Sequence, residues 1–263
     1  MKFTQKKSLG QNFLIDQSIL NKIADMGEVG HEDLVIEVGP GSGALTNKIL
    51  ERKPKNLVVI EKDVQLSNLL LKKFRKNIKI INEDMMKISY ENFSGQNHII
   101  FGNLPYNIST QILAKWIKLK NIDIFCKKFV LMFQKEVADR IIAKSNTKNF
   151  GRLSILSNWR MKIDKIFDVE PESFYPAPKV KSTLLVLVPK NKFFKFRDPK
   201  NLEHVTNIFF SQRRKMIKKP LKTLFKNYNE ISKTLNLDLD LRPQNLDQNT
   251  YYRICELYEA SIQ

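Results

Sequence analysis

Short apolar runs punctuate the first two-thirds of the chain. LVIEVG (34–39), NLVVIE (56–61), IKIIN (78–82) and HIIFGN (98–103) are rich in Ile and Val, and each ends in polar residues or glycine. Between them, ALTNKILERK (44–53) and VQLSNLLLKKF (64–74) carry apolar residues at helical spacing. Runs that are continuous rather than alternating indicate strands buried on both faces. Their alternation with helices predicts a parallel, doubly wound α/β sheet. A helix over SILNKIADMG (18–27), closed by Gly27, precedes the first strand. KKFVLMFQ (127–134) and KSTLLVLVPK (181–190) add strands, and KEVADRIIAK (135–144) adds a helix.

The pattern changes near Pro189. From Lys190 to Lys226, twelve Lys and Arg face only Asp198 and Glu203. That local excess of ten is more than half of the net charge of +18 carried by the 263 residues. The residues beyond Lys226 read as helical. The expectation is a first domain over 1–190, with a basic N-terminal segment, and a small all-helical domain over 191–263. Such a charge excess repels itself unless a polyanion is the usual partner, and nucleic acid is the leading reading. A membrane is the rival, but no apolar run of about 18 residues or lipidation signal stands out. The start, MKFTQKKSLGQNF, lacks the apolar core of a signal peptide. Cys126 and Cys255 form no C-x-x-C pair, which argues against a disulfide framework or a zinc site and fits the cytoplasm. His31, His98 and His204 are scattered and read as surface or packing residues.

Candidate chemistry starts at EVGPGSGALT (37–46), where Gly39, Gly41 and Gly43 join a strand to a helix. Glycine lets the backbone turn sharply and approach a ligand, and a helix start offers free N–H groups. The spacing is G-x-G-x-G, and neither the dinucleotide fingerprint nor a P-loop is present. A plain βα turn is the alternative. Glu61 ends the second strand, where a carboxylate can accept the ribose hydroxyls of an adenosine-containing ligand. A solvated strand-end acid is the alternative there. Asp84, in NEDMM, ends the third strand and can accept an adenine amino group. Adenosine without a pyrophosphate points to S-adenosylmethionine.

FGNLPYNIST (101–110) follows the next strand and contains neither a usual nucleophile nor a strong base. An adenine amine is a poor nucleophile because its lone pair is delocalised into the ring. Two acceptors, the Asn103 side-chain oxygen and the Pro105 carbonyl, can bind its two hydrogens and favour the pyramidal form. Tyr106 offers a face for the base to stack on, and Leu104 shapes the turn. Catalysis by alignment and electrostatics then needs no metal. The base must be splayed out of any helix. In FFSQRRKMIKKPLKTLF (209–225), Arg213, Arg214, Lys215, Lys218 and Lys219 fall within two turns and, on a helix, can track phosphates. A solvated charged face is the alternative.

These segments carry a resemblance. SLGQNFLID, EVGPGSGALT, VIEKD, NEDMM, FGNLPYNIST, QKEVADR, FGRLSI, SFYPAPKVKST, SQRRKMIKKPL and LRPQNL occur in this order nearly end to end. The chain thus resembles the ribosomal RNA adenine N6-dimethyltransferases, most of all the bacterial small-subunit type. The resemblance implies a Rossmann-like S-adenosylmethionine-dependent methyltransferase sheet with a small all-helical C-terminal domain. It implies that Asn12 and Leu14 close over the cofactor. Gly39 and Gly41 would meet its methionine end, Glu61 its ribose and Asp84 its adenine, while Asn103 touches both cofactor and target. Phe174 would stack on the target base opposite Tyr106, in a loop held extended by Pro176 and Pro178. The implied reaction dimethylates two adjacent adenosines near the 3′ end of small-subunit ribosomal RNA, within a pre-30S particle, by a monomeric enzyme without a metal. Large-subunit adenine methyltransferases share the glycine loop and an N-x-P-Y turn, but QKEVADR and LRPQNL pull away from them. Protein glutamine methyltransferases face the same amide problem, and the basic second domain argues against them. A pure assembly factor would be expected to have lost part of the cofactor set, which is complete here.

Overall fold

The computed structural model describes residues 12–93 and 97–262. The first part of the basic N-terminal segment, up to Gln11, lies outside the described residues. Strand β1 (Phe13–Leu14) leads into α1 (Gln17–Met26), followed by β2 (Leu34–Val38), α2 (Ala44–Glu51), β3 (Asn56–Ile60), α3 (Val64–Phe74) and β4 (Lys79–Ile81). Then come β5 (His98–Asn103), α4 (Ser109–Ile117), α5 (Ile122–Phe125), β6 (Cys126–Gln134), α6 (Lys135–Ile141) and α7 (Arg152–Arg160). The chain continues through β7 (Met161–Val169), β8 (Phe174–Tyr175) and β9 (Ser182–Pro189). Helices α8 (Pro199–Ser211), α9 (Lys218–Leu224), α10 (Tyr228–Thr234) and α11 (Gln248–Ser261) complete it.

Seven strands form one sheet in the order β4-β3-β2-β5-β6-β9-β7. Strands β2 to β6 run parallel, as expected of apolar runs separated by helices, while β9 is antiparallel to β6. The order reverses at β2: the chain builds outward to β4, then returns to place β5 on the other side of β2. Ligands in such sheets sit at the carboxyl ends of the strands flanking that switch. Local chemistry supports the joints. The Asp16 carboxylate accepts the Ser18 and Ile19 N–H groups at the start of α1, and Asp63 does the same for Gln65 and Leu66 at α3. Each such cap stabilises its helix by about 1 kcal/mol. Gly27 does follow α1, but with φ of −70° it is not a left-handed cap. A Cβ there would lie 2.3 Å from Phe101 Cζ, so glycine is required by close packing against β5.

Two compact units emerge. Among the described residues, those up to Ala138 together with Lys162–Pro189 form the first, and Asp139–Met161 with those from Lys190 onward form the second. The chain crosses between units at Pro189–Lys190, and an earlier excursion carries α7 into the second unit. The physical reason is aromatic: Trp159 on α7 is buried, donates its indole N–H to the Phe194 carbonyl at 2.7 Å and packs near Phe193 and Phe196. Tyr252 on α11 donates to the Ile155 carbonyl at 2.8 Å.

Candidate active site

The carboxyl ends of β2, β3, β4 and β5 surround a cavity of about 300 Å³ in the first unit. All four strand-end groups singled out from the sequence border it: the glycine turn, Glu61, Asp84 and Asn103–Tyr106. Gly39, Gly41 and Gly43 have φ of +69°, +58° and +78°, a region that side-chain-bearing residues rarely adopt. At Gly41 space is decisive as well, because an added Cβ would lie 2.8 Å from the Phe13 ring.

Glu61 is not a solvated strand-end acid. It is 7 % exposed, and its carboxylate accepts the Gly41 N–H at 3.2 Å and the Asp63 N–H at 2.9 Å. Burial pushes its pKa up, partly offset by those two backbone donors. Asp84 is held in the opposite direction. The Lys62 ammonium, 2.8 Å away, and the Met86 N–H, at 2.9 Å, keep its carboxyl below the usual range. Nearby, Lys115 donates to the carbonyls of Met86 and Ile88, at 2.7 and 2.8 Å, and pins the segment that carries Asp84.

Asn103 ends β5, in register beside β2, whose Val38 pairs with Gly102. Its Nδ2 donates to the Asn12 carbonyl at 3.2 Å. That contact orients the amide and leaves Oδ1 as the free acceptor, with no bond from a described residue. The Pro105 carbonyl accepts the Ile108 N–H at 3.1 Å and retains a second lone pair. Leu104 is buried and folds back over Gly102, where a Cβ would meet Leu104 Cδ2 at 2.8 Å. Tyr106 lines the cavity, and its hydroxyl lies 2.7 Å from Ser182 Oγ.

Asn12 and Leu14 also border the cavity, carried there by pairing between distant segments. Strand β1 pairs antiparallel with β8, Phe13 opposite Tyr175 and Leu14 opposite Phe174. Phe174 differs from its expected place. It is 2 % exposed, belongs to the core and is not among the cavity residues, whereas Tyr175 is 65 % exposed. Opposite Leu14 and packed in the core, the Phe174 ring presents no free face to a base in this arrangement.

A further cavity residue, Glu37, is not among the candidates read from the sequence. Glu37 lies within β2, where the apolar run masks it. It is 2 % exposed, accepts the Thr46 hydroxyl at 2.6 Å and is pushed up to about 7, chiefly by burial. The first acid of EVGPGSG, so close to the glycine turn, was the available hint.

The basic stretch of the second unit divides. Arg213, Arg214 and Lys215 are not helical; they form the turn after α8, and only Lys218 and Lys219 lie on α9. The Arg213 guanidinium is spent on the structure, donating to the Lys148 and Thr147 carbonyls and to Gln244 Oε1. Arg214, Lys215, Lys218 and Lys219 are exposed and, with Lys222 and Arg242, line one shallow concavity. Among the described residues no helix is long and apolar enough to cross a membrane, and no group of three or more His, Cys, Asp or Glu is placed to hold a metal.

A family model described as "Ribosomal RNA adenine dimethylase" matches residues 2–260. "Ribosomal RNA small subunit methyltransferase A" of Pelagibacter ubique (strain HTCC1062) is 54 % identical over 254 residues, 97 % of each chain. The protein of the same name from Buchnera aphidicola subsp. Baizongia pistaciae (strain Bp) is 42 % identical over 253 residues, 95 % of each. Among solved structures, a dimethyladenosine transferase from Plasmodium falciparum superposes with a TM-score of 0.76 at 27 % identity, covering 92 % of this chain and 95 % of that one. The 23S rRNA methyltransferase ErmE shares the fold, with a TM-score of 0.70 at 20 % identity, over 95 % of this chain and 100 % of that one.

Proposed function

The chain belongs to the ribosomal RNA adenine dimethylase family, and from that premise we propose its substrate, its cofactor and the role of each site residue. It transfers methyl groups from S-adenosylmethionine to the N6 amines of two adjacent adenosines near the 3′ end of small-subunit ribosomal RNA. The product is N6,N6-dimethyladenosine, made on a pre-30S particle in the cytoplasm by a monomer. The observation that carries this reading is the fixed amide of Asn103, its Nδ2 tied to Asn12 and its Oδ1 left to accept.

The cavity suits the cofactor. A positive-φ turn closed by Phe13 leaves no room for a Cβ at Gly41, and buried acids stand beside it. Gly39 and Gly41 would hold the methionine end, Glu61 the ribose and Asp84 the adenine, under a cover made by Asn12 and Leu14. When bound, the cofactor supplies a methyl group made electrophilic by the attached sulfonium. The remaining work falls to the chain. In the first transfer Asn103 Oδ1 and the Pro105 carbonyl each accept one N6 hydrogen, and in the second one of them accepts the hydrogen that remains, which favours a localised nitrogen lone pair. The methyl group would go to the N6 nitrogen so oriented, and the amine's surplus proton would leave to water, because the two amide carbonyls orient N–H groups but are too weakly basic to keep a proton. Preorganised acceptors of this kind lower barriers because they need no reorganisation during reaction. Tyr106 supplies one stacking face. A matching role for Phe174 would require its ring to leave the core.

In the second unit, Arg214, Lys215, Lys218 and Lys219, joined by Lys222 and Arg242, would contact RNA phosphates, with Arg213 bracing the turn that carries them. The test is mass spectrometry of small-subunit RNA after incubation of unmethylated particles with isotopically labelled S-adenosylmethionine. Label in dimethyladenosine at neighbouring positions is expected. Label confined to large-subunit RNA or to a protein glutamine refutes the assignment.

A further inference from the structure

Tyr106 is gripped at both ends by serines. Its hydroxyl meets Ser182 Oγ at 2.7 Å, and its carbonyl accepts from Ser109 Oγ at 3.2 Å. Both serines are completely buried. Ser182 opens β9, and the next five residues are buried as well. Alanine would fill that position without desolvating a hydroxyl, so the serine calls for an account through its partner. The strand start is also rigid. Ser182 pairs with Gln134 across β6 and β9, and the Lys135 N–H donates to the Lys181 carbonyl at 2.9 Å. Thr183 donates to Asp168 at 2.7 Å, and Asp168 also pairs with Lys135 and Lys165.

We propose that Ser182 is a positioning residue for methyl transfer, its hydroxyl anchoring the Tyr106 ring at the place where the extruded adenine stacks. The inference rests on the adenine-transfer reading above. A stacked base inherits the orientation of its platform, and the N6 amine must meet Asn103 Oδ1 and the methyl group together. Small errors of alignment are expensive in such a step. Without Ser182 the partly buried phenol loses its partner and gains by turning toward water. Burial also pushes the Tyr106 phenol up, so it stays neutral and serves as a hydrogen-bonded anchor rather than a base.

The experiment is a double-mutant cycle with small-subunit particles as substrate, using Ser182→Ala, Ser182→Thr, Tyr106→Phe and the Ser182→Ala/Tyr106→Phe pair. Ser182→Ala should lower kcat by about tenfold or more. The cofactor dissociation constant, read by calorimetry, and Tm should stay near wild type. Ser182→Thr should restore kcat, because it returns the hydroxyl. Tyr106→Phe should lose as much as Ser182→Ala, and the pair no more than either alone, since all three remove one hydrogen bond. Additive losses overturn the inference, as does a Ser182→Ala protein with wild-type kcat or one that loses cofactor affinity instead. If the wild type transfers no methyl group to any RNA, the underlying reading falls and takes this inference with it. An active wild type with an unaffected Ser182→Ala sinks the inference alone.

Discussion

Replacing Glu37 by Gln should remove a pH dependence of stability that its surroundings impose. The carboxyl is 2 % exposed, with Thr46 as its hydrogen-bond donor and Glu61 close enough to repel it. Burial outweighs the stabilising effects of Thr46 and Lys73, and the pKa rises from 4.5 to about 7. The folded protein therefore binds a proton that the unfolded chain releases between those two values. Stability from this group is fully present below pH 4.5 and is lost as pH rises through about 7. That rise in pKa, at about 1.4 kcal/mol for each tenfold change in proton affinity, is worth about 3.5 kcal/mol in full. The assay is denaturant unfolding at several pH values from about 5 to 8, comparing wild type with Glu37→Gln. Other groups titrate in both proteins, so the difference between their two curves isolates Glu37. Wild type should lose about 2–3 kcal/mol relative to the variant across that range. Parallel curves would falsify the claim that Glu37 is held protonated by burial. Excess S-adenosylmethionine should shrink the difference if its cationic end enters beside Glu37, because a nearby positive charge favours the carboxylate.

Asn103→Ala should cut single-turnover methyl transfer by about 10²–10³ while leaving most of the cofactor affinity; a variant retaining more than half of wild-type rate would remove the acceptor role. Glu61→Ala should weaken cofactor binding and also loosen the glycine turn, because each charge-assisted bond contributes about 1.5–3 kcal/mol. An unchanged dissociation constant by calorimetry would take Glu61 out of the site. Reversing Arg214, Lys215 and Lys218 to Glu should slow transfer and flatten the salt dependence of RNA binding by about 0.7–0.9 log units per lost phosphate contact. A slope equal to wild type would discard the concavity as an RNA surface. Arg213→Ala should instead lower Tm, since its guanidinium ties the turn to Lys148, Thr147 and Gln244.

What the sequence by itself determined lies within short windows. Apolar runs such as HIIFGN became β5 over the same residues, and LVIEV, NLVVI and KII became its parallel companions in the sheet, because burial on both faces demands continuous apolar stretches. The sharp turn through Gly39, Gly41 and Gly43 was legible too, since that requirement is local to each residue, and its positive φ values came with the structure. The gathering of the glycine turn, Glu61, Asp84 and Asn103 followed from strand order once the alternation was read. Tertiary structure alone decided the rest. No local pattern announces that Asn12 meets Asn103 ninety-one positions away, that Leu14 faces Phe174, or that Ser182 reaches the Tyr106 hydroxyl. The same holds for α7, whose weakly patterned sequence joins the second unit because Trp159 finds aromatic neighbours there. Glu37 is the sharpest case. Its residue type is written in the chain, but its protonation depends on how completely the folded protein keeps water away, a property of packing in three dimensions.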